Sequence, residues 1–195
     1  MQEFIRQQID EAHAVLGAMS ADRALQAALA AAAQAVIDSL RAGGKVLFAG
    51  NGGSAADAQH MAGEFVSRFL FDRPGLAAVA LTTDTSILTA IGNDYGYEKL
   101  FERQVQALGC RGDVLVAYST SGRSPNILCA LKAARAQGVV TIGFTGNRGG
   151  PMVELCEHLL CSPSAATPKI QEGHLVMGHI LCGLVERAMF TPPAA

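Results

Sequence analysis

The chain has no basic block. Fifteen lysines and arginines stand against seventeen acidic residues, for a formal net charge of −2, and this balance lacks the electrostatic footprint of a nucleic-acid binder. No apolar run approaches the length needed to span a bilayer, so a membrane is not an expected partner. The opening MQEFIRQQIDEAH lacks the apolar region of a signal peptide, and the expected address is the cytoplasm. CxxC spacing is also missing. Cys110, Cys129, Cys156, Cys161 and Cys182 are an odd number in a chain without secretory features, which predicts reduced, mostly buried thiols rather than a disulfide framework. Cys156 and Cys161 could be read as a metal pair, but Cys161 ends the apolar run Leu159-Leu160-Cys161, and a structural role is favoured. There is no repeat of fixed period, no low-complexity tract and no Walker A lysine.

What is present is apolar. Hydrophobic residues make up 50% of 195 positions, which fits one folded domain over 1–195 with a sizeable core. Two amphipathic helices are predicted over 3–19 and 21–42, the second capped by Ser20 and stopped at Gly43-Gly44. The alanines of 27–35 allow close helix approach and suggest a subunit interface. From residue 45 strands and helices alternate, with strands at 45–49, 77–82, 113–118, 139–144 and 158–161 and a long last helix over 169–190. That alternation predicts an α/β fold with a parallel sheet covered on both faces, and ligands in such sheets bind outside the carboxyl ends of the strands. The division is a helical segment 1–43, a core 44–190 and a loose tail 191–195.

The most informative segment is KVLFAGNGGSAADAQHMAGE, residues 45–64. A short apolar strand runs into Gly50-Asn51-Gly52-Gly53, with Ser54 placed to cap the following helix. Glycines let a ligand approach the backbone, and the free N–H groups of a helix start favour an anion. The same residues satisfy a relaxed dinucleotide fingerprint, Gly50-x-Gly52-x-x-Ala55. Its acidic partner is missing, however: Asp72 lies before the next strand and Asp84 comes too late, so a nicotinamide cofactor is disfavoured. A second strand–loop–helix unit over 113–137 crowds hydroxyls into Ser119-Thr120-Ser121-Gly122-Arg123-Ser124. By itself that loop reads equally as a capped turn or a phosphate cradle, and the sibling glycine loop shifts the balance toward a ligand.

His60 and Glu64 are one helical turn apart, rotated by about 40°, so both can meet one ion. Alone, the pair is more often a surface contact. The last helix adds Gln171, His174 and His179, two of which could complete a tetrahedral site, and helical geometry does not choose between the histidines.

In this order, GNGGSAADAQHMAGE, STSGRS and QEGHLVMGH resemble the sugar isomerase (SIS) family, and closely its phosphoheptose isomerase members, over nearly the whole chain. The resemblance implies a three-layer sandwich with a five-stranded parallel sheet preceded by a helical pair. It also implies isomerisation of the ketose D-sedoheptulose 7-phosphate to the aldose D-glycero-D-manno-heptose 7-phosphate through an enediolate. Ser119, Thr120, Ser121 and Ser124 would hold the phosphate, and Asn51, Gly52, Gly53, Ser54, Asn93, Asp94, Glu64 and Gln171 would contact the sugar. One zinc ion per subunit would be held by His60, Glu64, Gln171 and His179, leaving His174 as a packing or interface residue. Glu64 is the implied base and His179 the implied acid. Asp57 is a reserve base or orienting group, equally readable as a helix first-turn acid. The resemblance further implies a homotetramer with sites near subunit contacts, working in ADP-heptose synthesis for lipopolysaccharide or capsule. The alternative is a non-catalytic SIS module that binds a sugar phosphate or a protein partner such as a replication initiator. The modules of that kind carry asparagine where this chain has His179, so the histidine favours an enzyme. Arg68, Lys169 and the turn Asn147-Arg148-Gly149-Gly150 are given surface or turn roles.

Overall fold

In the computed structural model, residues 1–191 are described; of the expected loose tail, 192–195 lie outside them. Two long helices open the chain, α1 (Gln2–Ala21) and α2 (Arg23–Arg41). The break between them falls at Asp22, not at Ser20. Asp22 leaves helical geometry and its carboxylate accepts the N–H groups of Ala24 and Leu25, which serves the orphan donors of a helix start better than a serine still inside α1.

Five strands come next, β1 (Val46–Ala49), β2 (Ala78–Ala80), β3 (Val114–Tyr118), β4 (Val140–Thr145) and β5 (His158–Cys161). All pair in parallel in the order β2-β1-β3-β4-β5. The chain leaves β1 toward one edge and returns past it for β3, so the order reverses between β1 and β3. The loops after those two strands therefore open side by side at a topological switch point.

Strand periodicity sends alternate residues to opposite faces. Val46, Phe48, Val114, Val116, Tyr118, Ile142 and Phe144 enter one core with α1, α2, α3 (Gly53–Val66) and α8 (Thr167–Met189). Leu47, Ala49, Leu115 and Ala117 enter the other, beneath α4 (Thr85–Tyr95), α5 (Glu102–Leu108), α6 (Pro125–Gln137) and the short α7 (Met152–Leu155). This is the three-layer architecture expected from the alternation. Ala32 and Ala33 are buried in the chain's own core, so that part of the alanine run serves internal packing. At the amino edge of the sheet, Asp113 accepts from Lys45 Nζ at 2.5 Å, Lys45 N at 2.9 Å and Cys110 N at 2.8 Å, tying β1 to β3.

The thiols are less buried than expected: Cys182 is enclosed, Cys129, Cys156 and Cys161 are half-buried, and Cys110 is exposed; all are free. Burial pushes the Cys156 and Cys182 thiols up to about 12, so neither is a thiolate nucleophile at neutral pH. Lys169, expected at the surface, is 6% exposed and its Nζ donates to Gln8 O and Glu172, fastening the start of α8 to α1.

Candidate active site at the carboxyl edge of the sheet

The glycine loop turns sharply after β1 because Gly52 adopts φ 57° and acts as the cap of α3, leaving Ser54 inside the first turn and 4% exposed. The expected Ser54 cap is thus displaced to Gly52, the residue that can take left-handed backbone without strain. A Cβ on Gly50 would collide with the backbone carbonyl of Ser54, so the loop needs glycine there for space.

Across the switch point, Ser124 caps α6 and Pro125 begins it, a position that costs no helical hydrogen bond. Ser119, 3% exposed, shares a 2.9 Å hydroxyl contact with Ser124, while Ser121 accepts from Arg123 N. Gly122, at φ 65°, lies against the backbone of Gly149, so the turn over 147–150 packs on the serine loop. Thr120 and Ser121 open on a polar cleft of about 310 Å³ shared with Arg123, Asn147, Arg148 and Ser164.

Two residues that sequence reading passed over join these loops. Asn126, 2% exposed in the first turn of α6, exchanges amide hydrogen bonds with Asn51 at 2.9 and 2.8 Å, and Tyr97 donates its hydroxyl to Asn51 Oδ1 at 3.0 Å. The Asn51 side chain is thereby fixed by α6 and by the 3-10 turn Tyr97–Lys99. A polar residue just after an N1 proline was the available signal for Asn126. Asn93 and Asp94, at the end of α4, hydrogen-bond each other at 2.8 Å and are exposed; among the described residues no hydrogen bond joins them to the loops.

Helix α3 carries His60 and Glu64 to its outer side, with His60 Nε2 2.9 Å from Glu64 Oε1. Helix α8 brings His179 beside them, its Nε2 3.4 Å from His60 Nε2. These ligating atoms all lie within 4.8 Å of one another. The helices come this close because Gly178 faces Met61, whose Sδ would stand 2.6 Å from any Cβ there. Ligand bonds of 2.0–2.1 Å in a tetrahedron imply edges of about 3.3 Å, so the two nitrogens already stand at the spacing zinc requires. The donor set, two imidazoles and a carboxylate, fits a divalent metal of the zinc type.

Gln171 sits elsewhere. It precedes His179 by eight residues, a rise of about 12 Å along α8, and its Nε2 lies 2.6 Å from where a Cβ on Gly53 would stand. Its amide therefore faces the glycine loop and makes no hydrogen bond with the triad among the described residues. His174 is 1% exposed, its Nε2 paired with Thr145 O at 3.0 Å, and burial lowers it to about 4 against the modest upward pull of that bond; it is a neutral packing residue. Asp57 lies in the second turn of α3, not the first, with Oδ2 buried and unpaired. Desolvation raises its pKa, opposed by His60.

The glycine and serine loops share the carboxyl edge of one sheet, and the His–Glu–His cluster lies farther along α3, with His60 seven residues, about 10 Å, past Gly53. The SIS domain family model matches residues 8–146. The phosphoheptose isomerase of Burkholderia pseudomallei (strain 1710b) is 70% identical over 187 residues, covering 96% of this chain and 95% of that protein. This chain belongs to the SIS family, among the phosphoheptose isomerases. The phosphoheptose isomerase of Aneurinibacillus thermoaerophilus is 54% identical over 97% of the chain and 96% of its own length. Among solved structures, this SIS chain matches phosphoheptose isomerase GmhA from Neisseria gonorrhoeae at 42% identity and a TM-score of 0.88, covering 94% of this chain and 97% of that one. The Francisella tularensis phosphoheptose isomerase matches at 36% identity and a TM-score of 0.91, covering 95% and 98%.

Proposed function

We infer that this chain is a phosphoheptose isomerase that converts D-sedoheptulose 7-phosphate into D-glycero-D-manno-heptose 7-phosphate. The observation that carries this reading is the 70% identity to a phosphoheptose isomerase over nearly the full length of both chains. Two loops that offer helix starts to an anion, and a His–Glu–His cluster between α3 and α8, support it chemically.

The ketose-to-aldose conversion removes a proton from C1 and returns one at C2. Glu64 is the proposed base at C1, and His179 the proposed acid at C2. Ser119, Thr120, Ser121 and Ser124 would hold the phosphate at the start of α6, where backbone N–H groups and the helix dipole favour an anion. Asn51, held by Asn126 and Tyr97, would present a preset amide to the sugar hydroxyls, with Gly52, Gly53, Ser54, Asn93 and Asp94 lining the rest. Fixing the phosphate end aligns C1 and C2, converting remote binding energy into rate. His60, Glu64 and His179 would hold one zinc ion per subunit, while Gln171, whose amide faces the glycine loop, would contact the sugar. When bound, such an ion supplies Lewis-acid polarisation of the carbonyl and neighbouring hydroxyl oxygens.

Assembly as a homotetramer is proposed on surface chemistry. Phe4, Ile5 and Ile9 on α1 are 65%, 55% and 62% exposed. A groove of about 410 Å³ between α1, α2 and α8 is lined by Leu16, Leu25, Leu29, Val176 and Ile180. A second apolar hollow includes His179 itself with Phe69, Leu70 and Leu184, so a neighbouring subunit would cover the cluster's open side. Among the described residues no helix is long and apolar enough to cross a membrane. A cytoplasmic role in ADP-heptose supply for lipopolysaccharide or capsule accords with this reading.

The decisive experiment is proton NMR of sedoheptulose 7-phosphate with zinc-loaded protein in heavy water. Growth of an aldose signal with deuterium entry at C2 is expected. Folded, zinc-bearing protein that produces no aldose would overturn the assignment.

A further inference from the structure

One buried ion pair stands apart from the loops and the His–Glu–His cluster. Arg73, in the loop between α3 and β2, meets Glu186 on α8 at 3.1 Å, with the two side chains 2% and 1% exposed. An ion pair this deep is seldom more stabilising than a well-packed apolar pair, so stability alone gives little reason for it. Its other contacts supply one.

Helix α3 ends at Val66, so its last carbonyls have no partner within the helix. The Arg73 fork fills that gap: one terminal nitrogen donates to Glu64 O at 2.7 Å, the other to Phe65 O at 2.6 Å, Pro74 O at 3.0 Å and Ser67 O at 3.2 Å. The Glu186 carboxylate accepts Phe69 N at 2.9 Å and Leu70 N at 2.7 Å beside Arg73 Nε. Phe69, so held, stacks its ring on His179, with centroids 5.5 Å apart and planes 29° apart. Gly183, one turn beyond His179, leaves room for that ring, which would lie 3.3 Å from a Cβ there. One end of the pair therefore grips the backbone of Glu64, and the other sets the plane against which His179 packs.

We propose that Arg73 and Glu186 are positioning residues that set the orientation and spacing of Glu64 and His179, and hence the affinity of the His60–Glu64–His179 cluster for a divalent cation. The proposal rests on reading that cluster as a metal site. Partners one shell removed from metal ligands typically control affinity by about ten- to a hundredfold.

The test is zinc affinity of the full chain, measured by competition with a chromophoric chelator, with fold checked by near-ultraviolet circular dichroism. Glu186→Gln and Arg73→Lys are expected to bind zinc about ten- to a hundredfold more weakly than the parent. Asp113→Asn, which breaks the half-buried Lys45–Asp113 pair and touches none of the cluster residues, should lower the melting temperature yet keep parental affinity. An Arg73→Met/Glu186→Leu double variant should recover melting temperature but not affinity, and it replaces the single variants if they do not fold. Affinity within twofold of the parent in Glu186→Gln or in the double variant overturns the proposal and leaves the metal site standing. A parent chain that binds no zinc overturns both.

Discussion

The 3.4 Å separation of the His60 and His179 ring nitrogens sets the chemistry at the residue scale, because it holds two imidazoles close enough to bind one cation between them. Glu64, 2.9 Å from His60, belongs to that cluster and is also the proposed base. Glu64→Gln keeps the shape and removes the basicity, so kcat should fall about a hundredfold or more in a continuous aldose assay. His174 yields a separate prediction. Its folded-state value, about 4, lies below the unfolded value near 6.5, so between those values the unfolded chain binds more protons. Its contribution is complete above about pH 6.5 and is lost as pH falls toward 4, by roughly 3 kcal/mol in all. Urea titrations across that range should show the decline, and His174→Phe should flatten it.

At the scale of elements, two loops and two helices converge because β1 and β3 each end in a tight loop that leads straight into a helix, while α8 crosses beside the first of them. Gly53 opens α3 and abuts Gln171 on α8, so a methyl group there would meet the flexible end of the glutamine and push it aside. Gly53→Ala should leave stability unchanged or raise it by up to about 1 kcal/mol, since alanine favours helix. The same change should lower kcat/KM by about tenfold if the Gln171 amide serves the sugar. A drop in melting temperature matching the loss of activity would instead make Gln171 a packing group. Strand and helix types were legible from periodicity and from Gly-rich stops. Their ends were less so: Ser20 and Ser54 both read as caps, yet Asp22 and Gly52 hold those positions, because local hydroxyl preference gave way to carboxylate bonding in one case and to left-handed backbone in the other.

For the whole molecule, exposed apolar residues on α1 and beside His179 predict assembly. Sedimentation velocity at micromolar concentration should show a tetramer, and a monomer would remove that part of the reading. A site built between α3 and α8 also links metal to stability. Stripping zinc from loaded protein with a chelator should lower the melting temperature, since a ligand at a thousand times its Kd stabilises by about 4 kcal/mol. An unchanged melting temperature would place the zinc elsewhere.

The order of motifs determined the fold class, the glycine and serine loops and the His60–Glu64 pair, because strand alternation and i,i+4 spacing are properties of a few neighbouring residues. Selection among Gln171, His174 and His179 was a tertiary decision. One face of α8 meets the sheet and buries His174 beneath Thr145, while a later turn crosses α3 and sets His179 against His60. The Asn51–Asn126 exchange and the Arg73–Glu186 pair span 75 and 113 residues. Contacts at such separations have no local signature, since only the packing of a twisted parallel sheet between two helical layers brings their ends together.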